Sequence, residues 1–118
     1  MNHIALEKLN LLVHPVVKSK FALWCKEQNV KLIIKEAAIL YESGSYLDLD
    51  AVICVSAPED LRIKRIQERD GLLEEDIRSR MNNQMLQSEK EKLSDYIIYN
   101  DEKQLVLPQI LKIIKEID

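Results

Sequence analysis

All five arginines of the 118-residue chain, Arg62, Arg65, Arg69, Arg78 and Arg80, fall in the stretch LRIKRIQERDGLLEEDIRSR, and every other basic side chain apart from the two histidines is a lysine. A guanidinium presents a planar fork of donors that grips phosphate or carboxylate with two parallel hydrogen bonds and stays charged at any working pH. Arg62, Arg65 and Arg69 follow an i, i+3, i+7 spacing, which sets them on one stripe of a helix. Arg69 comes last, just before Asp70-Gly71, so the helix ends by carrying a cation into a loop. Arg78 and Arg80 follow closely behind that loop. Such a segment is suited to closing over an anion. The competing reading is a solvated face, because Glu68, Asp70, Glu74, Glu75 and Asp76 are available as partners and exposed pairs contribute only about 0–1 kcal/mol each.

The elements that must carry this stripe are legible on either side of it. AVICVSA is a short continuous apolar run of the kind that fills a parallel strand buried on both faces. SAPED then opens the arginine helix, with Pro58 early and Glu59 and Asp60 suited to the positive helix N-terminus. LLEEDIRSRMNNQMLQSEKEKL is predicted to be one long polar helix, DYIIYN a strand, and QLVLPQILKIIKEI a last helix kinked or restarted at Pro108. Upstream, ALEKLNLLV is helical, His14-Pro15 starts a new helix, and KLIIKE in the run that follows has the β-branched character of a strand. Strands alternating with helices predict an α/β class with a parallel sheet, in a single domain over residues 1–118.

Composition narrows the function. A net charge of −3 argues against a nucleic-acid partner, which calls for a basic face. Cys25 and Cys54 fit no metal or redox spacing, and free thiols suit a reducing cytosol. The N-terminus does not read as a signal peptide, no apolar run is long enough to cross a membrane, and a cytoplasmic location is expected. Among isolated candidates, His14 reads as structural rather than as a general base. Asp95 reads as a cap or salt-bridge partner rather than a magnesium ligand. Phe21 and Trp24 are expected in the core. Glu36 and Glu42 make a carboxylate pair whose separation a strand and turn do not fix, so they read as structural or substrate-side positions.

Five segments in order resemble the dephospho-CoA kinase family: KLNLLVHPVV, IIKEAAILYESG, the run from Asp50 through LRIKRIQERD, the following helix reaching a glutamine, and SDYIIYND. The resemblance spans Leu6 to Gln104. It implies ATP-dependent phosphorylation of the ribose 3′-hydroxyl of dephospho-CoA, with ATP as phosphoryl donor and Mg2+ as cofactor. It implies a three-layer P-loop-kinase-like parallel sheet, here truncated to the family's strands 3, 4 and 5 near Lys31–Glu36, Ala51–Ser56 and Asp95–Asn100. Residues 58–91 would form a helical lid-like hairpin, bringing Arg69 and Arg65 to the ATP phosphates, with Asn100 beside the adenine. The chain departs from the family pattern at Ala38, where proline is usual, and at Glu102, where glycine is usual. It contains no G-x-x-x-x-G-K-[ST] phosphate loop, and the family's catalytic aspartate is missing with it. The expectation is a C-terminal part of such a kinase with no catalytic residue of its own, inactive alone, and able to pair as a homodimer through exposed strand edges. The alternative is a non-catalytic nucleotide- or CoA-binding or assembly module.

Overall fold

In the computed structural model, which describes residues 2–118, the chain divides into two compact units, Met1–Ala38 and Ile39–Asp118. The first is built on α1 (His3–Glu27). Asn2 caps it, its side-chain oxygen accepting from the Ile4 N–H at 3.0 Å. The expected break at His14-Pro15 does not occur, and Pro15 lies inside one continuous helix. A proline costs one intrahelical bond and crowds the carbonyl of the preceding turn, but the whole stretch from Leu11 to Lys20 is exposed, so water can serve the freed carbonyl. No residue of α1 is buried. Phe21 and Trp24 are therefore not core residues. They stack on each other, ring centroids 6.0 Å apart, and Lys35 Nζ lies 4.7 Å over the Phe21 ring. The strand expected at Lys31–Glu36 is absent, and residues 28–37 form neither helix nor strand. A β-branched run favours extended backbone, but a strand exists only where a neighbour takes its hydrogen bonds.

The second unit is α/β. A turn containing Gly44 in the left-handed region (φ 74°) leads through a short 3-10 helix, Ser45–Asp48, into β1 (Ile53–Ser56). Then come α2 (Glu59–Asp70), α3 (Glu74–Asn82), α4 (Gln87–Leu93), β2 (Tyr96–Tyr99) and α5 (Val106–Ile117). The sheet is a parallel pair with Ile53 opposite Tyr96 and Ser56 opposite Tyr99. Strands thus lie within the expected ranges Ala51–Ser56 and Asp95–Asn100 and the third expected strand is absent, so the sheet has two strands among the described residues. The predicted long polar helix is two helices, α3 and α4, separated around Asn83–Leu86.

The core of this unit gathers Val52, Cys54, Ile63, Ile77, Ile98 and Ile113. β1 is not buried on both faces as predicted: Cys54 and Ser56 are covered while Ile53 and Val55 are 38% and 60% exposed. α4 covers the Cys54 and Ser56 face, since Gln87 Nε2 reaches Cys54 Sγ at 3.3 Å and Ser56 Oγ donates to Glu91 Oε1. Asp95 closes the start of the sheet, its Oδ2 accepting from the Val52 N–H at 2.8 Å, a capping role.

Candidate functional site

The two parallel strands end side by side at Ser56 and Tyr99, and the ladder runs one residue further, the Asn100 N–H donating to the Ser56 carbonyl at 2.8 Å. Ligands of open parallel sheets gather at this carboxyl edge. Immediately after β1 the chain turns at Ala57-Pro58 into α2, whose arginine stripe is thereby brought to the same edge. Arg62 Nε donates to the Ala57 carbonyl at 3.0 Å. Arg65 Nη1 donates to the Asn100 carbonyl at 2.9 Å, and its Nη2 lies 3.7 Å from Glu102 Oε1.

The loop after β2 has a defined shape. Asp101 Oδ1 accepts from the Lys103 and Gln104 N–H groups, each at 3.0 Å, and Oδ2 accepts from Gln104 Nε2 at 3.2 Å. These donors, the Gln104 backbone first, hold the Asp101 carboxyl below its ordinary value of 3.8. Glu102 sits at φ 65°, in the left-handed region that glycine enters without penalty.

At the other end of α2 the surroundings change. Gly71, at φ 66°, ends the helix by donating its N–H to the Gln67 carbonyl at 2.9 Å. Arg69 is 73% exposed and forks onto its sequence neighbour Asp70, Nε to Oδ1 and Nη2 to Oδ2 both at 2.8 Å. Those hydrogen bonds, with the charges of Arg69 and Arg80 adding, pull the Asp70 carboxyl below its ordinary value. Arg78 bridges helices, to Glu74 on α3 and to Glu59 on α2, both at 2.8 Å.

Arg65 and Asn100 are thus brought together, through a backbone carbonyl rather than through a ligand. Arg69 stands apart at the α2–α3 turn. Glu42 pairs with Lys90 of α4, Nζ to Oε2 3.5 Å, and beside it the Tyr41 hydroxyl and Ser94 Oγ are 2.7 Å apart. Glu36 is exposed in the first unit, and His14 is exposed on α1. An open depression of about 380 Å3 also lies at the strand ends, lined by Ser56, Pro58, Gln87, Glu91, Tyr99 and Asp101 among others. No cation lines it, so its chemistry suits hydrogen-bond donors rather than phosphate. Beneath it the Cys54 thiol is pushed up by burial and by the Glu91 carboxylate, which makes it an unreactive core thiol. Among the described residues no group of three or more His, Cys, Asp or Glu could hold a metal. The carboxylates nearest the strands are already engaged, Asp95 by Val52 and Glu91 by Ser56. The residues present do not fit a magnesium site. Among the described residues no helix is long and apolar enough to cross a membrane.

Sequence reasoning passed over Gln109 of α5. Its Oε1 accepts from the Tyr99 N–H at 2.7 Å, and its Nε2 donates to the Tyr99 and Leu105 carbonyls, each at 3.0 Å. A side-chain amide pairing with backbone ten residues away has no periodic signature that would reveal it.

An α/β unit with an arginine-bearing helix crossing the carboxyl edge of parallel strands is an architecture suited to handling phosphorylated ligands. The profile of the family described as Dephospho-CoA kinase matches residues 1–105, and the chain belongs to that family. It is 36% identical over 108 residues to a dephospho-CoA kinase of Bacteroides fragilis, covering 91% of this chain and 53% of that protein. It is 37% identical over 113 residues to the enzyme of Porphyromonas gingivalis, covering 95% and 56%. The crystal structure of TT1252 from Thermus thermophilus superposes with a TM-score of 0.89 at 27% identity, covering 98% of this chain and 60% of that one. The chain spans about half the length of the curated relatives it matches.

Proposed function

We propose that this chain supplies the C-terminal part of a cytoplasmic dephospho-CoA kinase, which transfers the γ-phosphoryl group of ATP to the ribose 3′-hydroxyl of dephospho-CoA. The observation that carries the reading is the meeting of the arginine helix with the carboxyl edge of β1 and β2, Arg65 on Asn100 at 2.9 Å, in a chain of this family. In this reading Asn100 lies beside the adenine and Arg69 swings from Asp70 onto the ATP phosphates. A fork held only by an exposed neighbouring carboxylate is exchanged at little cost, and phosphate offers it the same bidentate geometry. Arg65 acts by holding the Asn100 turn. Glu36 and Glu42 lie on the substrate side, Glu42 through its tie to Lys90. Magnesium, which would screen the phosphate charges, would be held by groups outside this sequence.

Phosphoryl transfer rests on positioning and electrostatic stabilisation of the phosphates, and this sequence holds no phosphate loop. The chain alone is therefore expected to give no ATP-dependent phosphorylation of dephospho-CoA. A chimera placing the N-terminal half of the Bacteroides fragilis enzyme ahead of it is expected to turn over. Turnover by the chain alone, abolished by Arg69→Ala, would overturn the inactivity. A folded but silent chimera would overturn the assignment.

One observation favours an assembly role for the isolated chain. The Val52 and Ser56 carbonyls point to β2, so the backbone groups of Ile53 and Val55 point to the other edge, where only a side-chain amide, Gln87 Nε2 at 3.3 Å from the Val55 carbonyl, meets them among the described residues, beside two exposed apolar side chains. Symmetric pairing of two copies along this edge predicts a dimeric mass by light scattering at tens of micromolar, and Val55→Lys is expected to return it to monomer.

A further inference from the structure

We propose that Gln109 is a positioning residue for the nucleotide-side loop, acting as a one-residue substitute strand along the outer edge of β2. The inference rests on the nucleotide reading of Asn100 given above.

Its ground is the completeness of the pairing. Asn100 N–H and its neighbours two residues back face β1, so Tyr99 presents its N–H and carbonyl outward, where a further strand would take both. The Gln109 carboxamide takes both instead, at 2.7 and 3.0 Å. Its second N–H donates to the Leu105 carbonyl at 3.0 Å, the residue that precedes α5. Both amide hydrogens and the oxygen are thereby used, and the two ends of the loop 100–105 are fastened to one side chain. Arg65 fastens the Asn100 carbonyl from the opposite element. Between these points lies Glu102, held at φ 65°, a conformation a residue with a Cβ keeps only when its surroundings impose it. Gln109 and Arg65 hold the ends of the loop that carries it, while Asp101, accepting from the Lys103 and Gln104 N–H groups, shapes the turn between them. The direction of the Asn100 side chain follows from the backbone they fix.

The test uses backbone amide exchange and the HN–Hα coupling of Glu102 in the full chain, followed by titration with ATP at millimolar concentration. Gln109→Leu keeps the bulk and removes every hydrogen bond. The Tyr99 amide is expected to exchange about tenfold faster, the Glu102 coupling to leave its left-handed value, and ATP-induced shifts at Asn100 to Glu102 to weaken. The Ile98 amide, which faces β1, should keep its rate. Gln109→Glu retains the acceptor for the Tyr99 N–H and loses both donors, so it should fall between wild type and Gln109→Leu; it also serves if the leucine variant does not fold. Unchanged Tyr99 exchange in both variants would overturn the positioning role alone. A loosened Tyr99 with wild-type ATP shifts would show that the loop needs no such positioning. Absence of ATP shifts in the wild-type chain would instead defeat the nucleotide reading on which the ligand part rests.

Discussion

Along α2 the same side chain meets two kinds of partner. At the end nearer the sheet, Arg62 and Arg65 donate to backbone carbonyls, those of Ala57 and Asn100. At the far end Arg69 meets, among the described residues, only the carboxylate of its own sequence neighbour. A carbonyl of the main chain cannot move away without moving the fold, so an arginine bound to it locates one element against another. An exposed carboxylate can be traded for another anion. The i, i+3, i+7 stripe therefore divides into two arginines bound to main-chain carbonyls and one held by an exposed carboxylate. A single label, phosphate-binding, would conceal that difference.

The sharpest way to break the comparison is to remove Arg69 in the chimeric enzyme. Arg69→Ala is expected to lower turnover by about a hundredfold or more, the range typical of removing a preorganised donor to transition-state charge, while leaving the unfolding midpoint almost unchanged. Arg69→Lys should rescue only partly, because a point charge cannot reproduce the fork. Near-wild-type rates in both variants would return the helix to a solvated face.

Arg65→Ala should behave in the opposite way. A charged hydrogen bond to a backbone carbonyl contributes more than a neutral one, and Arg65 is 35% exposed, so a loss of about 1–2 kcal/mol of folding stability is expected from denaturant unfolding of the chain itself. Any fall in activity would then accompany loosening of the Asn100 turn. If Arg65→Ala left stability untouched and abolished turnover, the division along α2 would be wrong.

The two left-handed positions on either side of this comparison differ in a way that is measurable. Gly71 ends α2 with open space around a hypothetical Cβ, so Gly71→Ala should cost about 1 kcal/mol, all of it backbone strain. Glu102 holds a similar φ with a side chain present. Glu102→Gly should relieve that strain, and losing the 3.7 Å approach to Arg65 offsets little, since partly exposed pairs contribute little. A net gain of about 0.5–1 kcal/mol is expected. Opposite signs at two similar φ values would separate backbone strain from packing; a destabilised Glu102→Gly would mean that the ion pair outweighs the strain.

How much of this was legible beforehand follows the physics of each feature. AVICVSA and DYIIYN announced their strands because an apolar run of that length, bounded by turn residues, has few other uses. The end of α2 was legible at Asp70-Gly71, since glycine after the last helical turn is a conformational requirement. KLIIKE misled, because β-branched composition registers a tendency to be extended and carries no information on whether a neighbour is there to pair. His14-Pro15 misled for a related reason: proline weakens a helix locally, and α1 continues on either side of it. Within the site, the departure at Glu102 could be seen as a missing glycine. The turn of Arg65 onto a backbone carbonyl could not, because a sequence shows which side chains can donate and is silent on which carbonyls are left to accept. Gln109 was hidden for the same reason.

The smallest expected effect probes the loop beneath the Arg65 end. Asp101 accepts two backbone N–H groups in its ionised form, so its carboxyl in the folded chain lies below its ordinary value of 3.8. For a carboxyl depressed on folding, the folded state binds its proton less readily than the unfolded state does. Its contribution is therefore complete above the unfolded value and declines as pH falls through the folded one. Acidification from pH 5 to below about 3.8 should accordingly loosen the 100–104 turn. Asp101 is solvent-accessible enough that the change should be modest. The measurement is a carboxyl-carbon titration by NMR with the Lys103 and Gln104 amides followed in parallel. Asp101→Asn keeps an acceptor oxygen and removes the titration, so its two amide shifts should stay flat through the same range, apart from movements transmitted from other acids. An Asp101 carboxyl that titrates at or above 3.8 would mean that the turn is held by the backbone, Gln109 and Arg65, and the loop would then owe its shape to its fastenings and not to its own aspartate.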